Sequence, residues 1–454
     1  IVNQEMVVRL GVVTGVGHAR LIFERFGKFW GAFSVGDLFI LNFLTIVTEF
    51  IGFTMALRYF GVSPIVSVPV GVTGLTAITV TGSFRRWERA MWICIVVSLL
   101  MIPLAILAHP SVGPIVHATF FPGVRGGLNS TSLLVLVAIV GTTVAPWQLF
   151  FQQSNVVDKR ITPHWLNHER LDTIVGSFIT NITAGGLIVA AAFAFAHTPY
   201  NNNFTDVGAA ANGMARAVSP VMGALLAIVL LNASIIGACA VTLSTSYAFG
   251  DVFRMKHSLH RGFFQAKFFY GSFLAMIVAA GAFVLLSSGP TQALVTLAVQ
   301  ALAGILLPSA TVFLLLLCND RAVLGPSINK PWLNAIAVVI VGVLVELSLI
   351  LATTTFFPTI NTNALALVLT ALLVGALLTM GVVTVIQRRR RGSDIELLAL
   401  AGVDRDTWRM PPLAELTKPV WSLPRKVGLL TLRGYLIVAV ILLLVKVIQL
   451  TLGH

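Results

Sequence analysis

Charged residues are scarce in this chain. They make up 10% of its 454 residues, and hydrophobic residues make up 57%, whereas an ordinary globular domain carries about 25% charged residues. So little charge excludes a soluble globular domain. The long uninterrupted apolar stretches also exclude a membrane β-barrel, whose strands alternate apolar and polar residues over segments of about ten residues. The composition therefore predicts an all-α polytopic membrane protein.

Cysteine and acidic residues are also few. Cys94, Cys239 and Cys318 lie within or at the end of apolar segments and lack the paired spacing of a zinc site or a disulfide framework. Only 17 acidic residues oppose 30 lysines and arginines, which gives a net charge of +13. Because the basic residues lie in loops between apolar runs, we expect a lipid bilayer and no nucleic acid as partner.

Apolar runs bounded by proline, glycine or charge predict about twelve transmembrane helices. The runs cover residues 1–22, 34–60, 64–84, 87–108, 131–153, 171–197, 218–250, 265–288, 291–318, 332–354, 362–387 and 427–450. If the loop after the first run is cytoplasmic, 25 lysines and arginines fall in inside loops and 3 in outside loops. This asymmetry supports both the number of spans and their orientation, and we expect a multi-pass protein of a bacterial cell membrane. Splitting the long run 218–250 into two spans would break the alternation, so we expect one helix there.

The chain divides into three parts by composition. Residues 1–387 form the transmembrane core, residues 388–426 a basic cytoplasmic linker, and residues 427–454 an additional C-terminal transmembrane helix. The linker opens with four consecutive arginines, which we expect to fix the topology and to meet anionic lipid head groups. It is too short to be a catalytic domain.

Ionisable residues inside membrane spans are costly, so each is a candidate for function. Glu5 and Arg9 are four residues apart on one helical face, which favours a local ion pair. Glu49 has no basic residue on its own helix before Arg58. It is therefore the better functional candidate, although a neutral, buried carboxyl is an equally good interpretation.

A helix break is predicted within the run 131–153. Pro146 disfavours helical geometry at Ala145, and Gly141, Thr142 and Thr143 loosen the preceding turn. Unwound backbone at this depth is tolerated where it lines a cavity, as in secondary transporters. The amides of Gln148, Gln152 and Gln153 border the break, and we expect Gln300 to lie across a cavity from it. A proline kink that serves packing, and a Gln300 that only bonds a neighbouring helix, are the structural alternatives.

The order of these elements resembles the natural resistance-associated macrophage protein (Nramp) family of divalent-metal transporters. The resemblance rests on Leu10–Gly15, on Gly141–Pro146, on Gln292–Leu294 with Leu307–Pro308, and on Asn319–Arg321. It implies a LeuT-like inverted-repeat transporter fold with broken helices. It also implies a monomer that carries a metal ion as substrate and has no cofactor.

The departures from the family pattern concern the metal. Family members that carry transition metals have methionine, proline and histidine at this break, and the methionine sulfur binds the metal; here the residues are Ala145, Pro146 and Trp147. Without that sulfur, a hard ion such as magnesium becomes the better match. The chain thus resembles the Nramp-related magnesium transporter branch, with Ala145, Trp147, Gln148 and Gln300 lining the substrate site.

The resemblance has two further implications. The first family helix, with its acidic metal ligand, should precede Ile1. Glu49 matches an acidic position of the family's proton route, whereas Asn42 and Gln152 stand where proton-coupled members have ionisable groups. We therefore expect facilitated uptake of Mg²⁺, and also of Mn²⁺, without proton coupling.

Three alternatives stay open. The first is a proton-coupled transporter of Mn²⁺ or Fe²⁺, and the second is an amino-acid carrier of the same fold. The third is an integral-membrane enzyme, which the sequence disfavours because no HxxxH or HExxH pair lies within a span. We expect no enzymatic activity.

Overall fold

The computed structural model contains helices and turns and no strand among the residues that it describes. These are residues 1–121, 123–124, 127, 130–196, 198, 207–357, 360–390 and 405–416, together with 434 and 437. Most of the predicted linker 388–426 and nearly all of the predicted C-terminal segment 427–454, including the run 427–450, lie outside the described residues. Both remain predictions.

The described residues form seventeen α-helices. They are α1 (Val2–Thr14), α2 (His18–Phe26), α3 (Lys28–Tyr59), α4 (Pro64–Thr79), α5 (Phe84–Ser98), α6 (Met101–Leu107), α7 (Val112–Phe120), α8 (Ser130–Thr143), α9 (Pro146–Asp158), α10 (Leu166–Phe195), α11 (Val207–Ala217), α12 (Pro220–Val252), α13 (Lys267–Leu286), α14 (Gly289–Cys318), α15 (Arg321–Leu324), α16 (Pro331–Phe356) and α17 (Thr362–Arg390). Proline occupies the first turn of α4, α9, α12 and α16, where its missing N–H has no helical partner to lose.

Eight stretches in the described part of the chain are long and apolar enough to cross a membrane, and a bent pair, α1 with α2, raises the number to nine. The predicted runs 64–84 and 131–153 correspond to the shorter helix α4 and to the interrupted pair α8 and α9. Eleven of the twelve predicted runs thus contain helices. The run 218–250 is the single helix α12, as the charge alternation predicted.

The predicted run 1–22 is not one continuous helix. Helix α1 ends at Thr14, and α2 leaves it at an angle of 79°. Gly15 adopts a left-handed conformation with φ 62°, and its N–H donates to the Gly11 carbonyl. Glycine tolerates this conformation because it has no Cβ, so it ends the helix although the apolar run continues.

The chain forms two compact units. The first unit contains residues 1–37, 124–170 and 300–454, and the second contains residues 38–123 and 171–299. In the first unit α1 packs against α9, and α16 packs against both α8 and α17. In the second unit α12 is central and contacts α4, α5, α6, α11 and α13.

A short part of the predicted linker packs onto the first unit. The Met410 N–H donates to the Val13 carbonyl at 3.1 Å, a carbonyl in the last turn of α1 that has no partner within the helix. The Trp408 ring lies against Gly325, where an added Cβ would come within 2.5 Å of the ring. Residues 405–416 therefore cover the end of α1.

Candidate functional site

The predicted break coincides with an interruption between α8 and α9. Helix α8 ends at Thr143 and α9 begins at Pro146. Ala145 between them is extended, with φ −82° and ψ 151°, because the ring of a following proline disfavours helical backbone. The last carbonyls of α8 and the first N–H groups of α9 thus meet at Val144 and Ala145, where helix ends carry opposite partial charges.

The two threonines of the loosened turn bond back into α8. The Thr142 and Thr143 hydroxyls both donate to the Ile139 carbonyl, at 3.2 and 2.6 Å. Both bonds return to a carbonyl within α8, four residues before its end. Their side chains are exposed. In both residues the hydroxyl donates to the helix that precedes the break.

Gly141 allows α8 to touch α14 backbone to backbone. A Cβ on Gly141 would collide with the backbone of Gly304. The Gly304 carbonyl in turn accepts a hydrogen bond of 3.3 Å from Ser348 of α16. Three helices therefore meet one turn before the break. Gln300 lies one turn before Gly304 on α14 and is half-buried.

The first turn of α9 offers oxygen atoms rather than sulfur. Ala145 is 4% exposed, and Trp147 and Gln148 are half-buried. The Gln148 Oε1 atom is buried and accepts no hydrogen bond from any residue that the structure describes. An unpaired buried carbonyl oxygen is costly, so this atom is a natural candidate for a ligand contact.

Gln153 does not border this break, contrary to the sequence-based expectation. It is fully buried, and it bridges α9 to the turn between α1 and α2. Its Nε2 donates to the Val16 carbonyl at 2.7 Å, and its Oε1 lies 2.7 Å from Nδ1 of His18. Since the amide nitrogen is used for Val16, Nδ1 of His18 is the donor to the carbonyl oxygen.

His18 is a residue to which the sequence analysis gave no role. Its ring is fully buried and packs edge-on against Phe150 with centroids 4.7 Å apart. The sequence signal for it was its place directly after Gly15 and Gly17, a turn that ends α1. Together His18 and Gln153 hold the half-helix after the break against α1 and α2.

A family model provides the assignment. The model for natural resistance-associated macrophage protein-like sequences matches residues 1–354, more than half of the chain. The chain belongs to the Nramp family. The resemblance noted from the sequence is thereby confirmed, and so is the expectation of an all-α multi-pass membrane protein.

Individual relatives agree with this assignment. The divalent metal cation transporter MntH of Latilactobacillus sakei is 27% identical over 373 residues, covering 77% of this chain and 79% of the relative. MntH of Bacillus subtilis is 26% identical over 371 residues, covering 78% and 81%. Both are named as transporters and not as enzymes, which agrees with the expected lack of enzymatic activity.

Solved structures show the same fold. A crystal structure of the Eremococcus coleocola manganese transporter, in complex with an aromatic bis-isothiourea substituted compound, aligns with a TM-score of 0.58. The alignment covers 86% of each chain at 19% identity. At this identity the likeness shows the fold alone, which is the Nramp fold.

The positions compared with the Nramp proton route lie in two places. Gln152 is half-buried on α9 of the first unit. Glu49 and Asn42 lie on α3 in the second unit, where α3 and α12 run antiparallel. The Glu49 carboxyl occupies the space beside Gly237, and the fully buried Asn42 donates to the Thr245 hydroxyl at 2.8 Å.

Proposed function

We propose that this protein is a facilitated transporter that prefers Mg²⁺, also carries Mn²⁺, and does not move protons with the metal. Divalent-metal transport of the Nramp type follows from the family to which the chain belongs. What we propose beyond this is the preferred ion and the driving force. The proposed substrate site is lined by Ala145, Trp147, Gln148 and Gln300.

The observation that carries the proposal is the donor set at the break. Ala145, the residue that caps α9, has only a methyl side chain, and one turn on, the Gln148 Oε1 atom is buried without a hydrogen bond among the described residues. The last carbonyls of α8 add further oxygen atoms and the partial negative charge of a helix C-terminus. Oxygen donors favour hard cations, whereas a thioether favours soft ones.

The choice between magnesium and manganese rests on hydration. Mg²⁺ gives up its water reluctantly and is bound through few protein oxygens with several waters retained. A site with one amide oxygen on α9 and a small residue at the break suits such an ion. Manganese has comparable oxygen preferences, and the relative of known structure is named as a manganese transporter. We therefore keep Mn²⁺ as a second substrate.

The proposed absence of proton coupling rests on three positions. Trp147 offers no titratable group where transition-metal members have histidine. Asn42 cannot carry a proton as a carboxyl does, and its amide already donates to Thr245 at 2.8 Å. Glu49 lies against Gly237, a contact that suits a packing role. The membrane potential then drives entry, at about 2.3 kcal/mol per charge for 100 mV and about twice that for a divalent ion.

Two alternatives remain to be tested. A proton-coupled transporter of Mn²⁺ or Fe²⁺ is favoured by the names of the relatives, which are divalent metal cation and manganese transporters. The amino-acid carrier has less support, because neither the MntH relatives nor the structural neighbour reported above is named as one.

Ion selectivity is tested with purified protein in liposomes. We expect uptake of Mg²⁺ and Mn²⁺, little Ca²⁺ and little Cd²⁺, followed with ion-sensitive dyes trapped inside. The variant Ala145→Met adds a sulfur, and Ala145→Leu adds similar bulk without one. Cd²⁺ uptake that rises in the methionine variant alone would support an ion path at Ala145. Strong Cd²⁺ uptake with exclusion of Mg²⁺ in the unmodified protein would refute the proposal.

Proton movement is tested in the same liposomes with a pH dye and an imposed inside-negative potential. We expect metal entry with no change of internal pH. Acidification that follows the metal and disappears in Glu49→Gln would establish the proton-coupled alternative. Amino-acid uptake without metal uptake would establish the carrier.

A further inference from the structure

Two loops of the second unit form one continuous surface. They are residues 80–89, which comprise the loop between α4 and α5 with the first turns of α5, and residues 251–268, which run from the end of α12 to the start of α13. Their backbones meet at Gly82 and Gly262, where a Cβ on Gly82 would lie 3.2 Å from the Gly262 Cα. Phe84 stacks on His260 with ring centroids 5.5 Å apart. The charge pattern of the sequence assigns both loops to the cytoplasmic side.

This basic loop surface has a large excess of positive charge. Its exposed cations are Arg85, Arg86, Arg89, Arg254, Lys256, Arg261 and Lys267. The same segments contain two acids, Glu88 and Asp251, and Asp251 is buried with its Oδ1 atom 3.2 Å from Nε2 of His257. By sequence, the seven cations of these segments outnumber their two acids, a formal excess of five positive charges.

Three cytoplasmic cations of the first unit are paired with carboxylates. Arg25 pairs with Asp320 at 2.6 Å, Arg170 with Glu5 at 2.9 Å, and Lys159 with Glu169 at 3.3 Å. These charges are compensated within the protein. A general preference for positive charge in cytoplasmic loops does not by itself explain why carboxylates are paired with these three cations and are so few on the basic loop surface.

Large apolar side chains border the cations. Phe253, Phe264 and Phe268 are 62%, 83% and 73% exposed, and the Lys267 ammonium lies 5.9 Å from the centre of the Phe264 ring. Exposure of such a group of apolar rings to water is unfavourable and is typical of an interaction site. Beside the ends of the spanning helices α12 and α13, the rings are at the level where aromatic residues enter the boundary between head groups and acyl chains.

We propose that the basic loop surface binds anionic phospholipids of the cytoplasmic leaflet. The arginines bind the lipid phosphate, for which the planar guanidinium provides two parallel hydrogen bonds, and the phenylalanines contact the acyl chains. The ligand is an anionic glycerophospholipid rather than a soluble phosphate, because only a lipid uses both the cations and the exposed rings.

The experiment compares two variants with equal loss of charge. One is Arg85→Gln/Arg86→Gln/Arg254→Gln/Lys256→Gln. The control, Lys28→Gln/Arg160→Gln/Arg321→Gln/Lys330→Gln, removes four exposed cations from the cytoplasmic loops of the first unit. Binding of fluorescent phosphatidylglycerol and phosphatidylcholine is measured in neutral micelles by energy transfer from the protein's tryptophans. Gel filtration checks that both variants remain folded.

We expect the unmodified protein and the control to prefer phosphatidylglycerol severalfold, and the first variant to lose most of that preference. Raising the salt from low to high concentration should weaken the preference in the unmodified protein, because salt screens exposed charges; this measurement needs no variant. Equal loss in both variants would refute a specific surface. So would the absence of any preference, or full displacement of the lipid by inorganic phosphate, which would indicate a soluble anion.

Discussion

The contact between Gln153 and His18 allows a quantitative test of how the half-helix α9 is held. Replacing Gln153 with leucine leaves Nδ1 of His18 and the Val16 carbonyl without the partners that lie 2.7 Å away from them. A buried polar group left unpaired costs about 1–3 kcal/mol. Val16 is only partly buried, and its carbonyl can still accept from the Thr14 hydroxyl at 3.3 Å, so its share is at the low end. We expect Gln153→Leu to lower the free energy of unfolding by about 2–4 kcal/mol.

Substitution of the partner residue, His18, gives the second single variant of a double-mutant cycle. His18→Leu leaves one group unpaired, Oε1 of Gln153, and should cost about 1–3 kcal/mol. In the double variant both polar partners are gone and only the Val16 carbonyl is affected. The combined loss should therefore be smaller than the sum of the two single losses, by about 2 kcal/mol, which is within the range of coupling energies for residues in contact.

The cycle is measured by unfolding the purified protein with sodium dodecyl sulfate in mixed micelles, followed by circular dichroism. Gln265→Leu, the same substitution at an exposed position, is the control and should change stability little. Losses that add up within about 0.5 kcal/mol would show that the two side chains do not interact in the membrane protein. The reasoning from the hydrogen bonds would then be refuted.

Three further predictions follow from the described contacts. Gly141→Ala should destabilise the protein by about 1–3 kcal/mol because its Cβ would collide with the Gly304 backbone. Gly375→Ala is the control, because a Cβ there meets nothing within 4 Å and should not change stability. Equal unfolding curves for the two variants would contradict this prediction. Arg9→Gln should cost about 3–5 kcal/mol in the same unfolding assay because Arg9 is buried against Glu5, Ser327 and Asn329, whereas the more exposed Arg170→Gln should cost about 0–1 kcal/mol. Glu49→Gln should leave magnesium uptake into liposomes unchanged, and a loss of uptake in a folded variant would assign Glu49 a role in transport.

Much of the fold could be predicted because the membrane constrains the composition of the segments that cross it. A run of about 20 apolar residues has one favourable placement in a bilayer, and the basic loops fix its direction. This is why the run 218–250 was predicted as one helix and is one. Pro146 likewise acts on its own neighbour, Ala145, and this local effect could be derived without knowledge of the packing.

The run 1–22 shows a detail that this reasoning does not resolve. Hydropathy averages over a window and does not register that Gly15 adopts a left-handed conformation, so it merged α1 and α2. The three glutamines of α9 show a second limit. Their closeness in the sequence led to the expectation that Gln153 borders the break with Gln148, but the side chain of Gln153 reaches the α1–α2 turn, where it bonds the buried His18 and the Val16 carbonyl.

The sequence by itself determined the class of protein and the position of the interruption at Ala145, because each depends on composition or on adjacent residues. Only the tertiary structure decided which distant residues meet: Gly141 with Gly304, Gln153 with His18, and Glu49 with Gly237. The physical reason is that such pairs are selected by close packing and by the need of buried polar groups for partners. These requirements act between helices that are far apart in the chain, so no local pattern in the sequence records them.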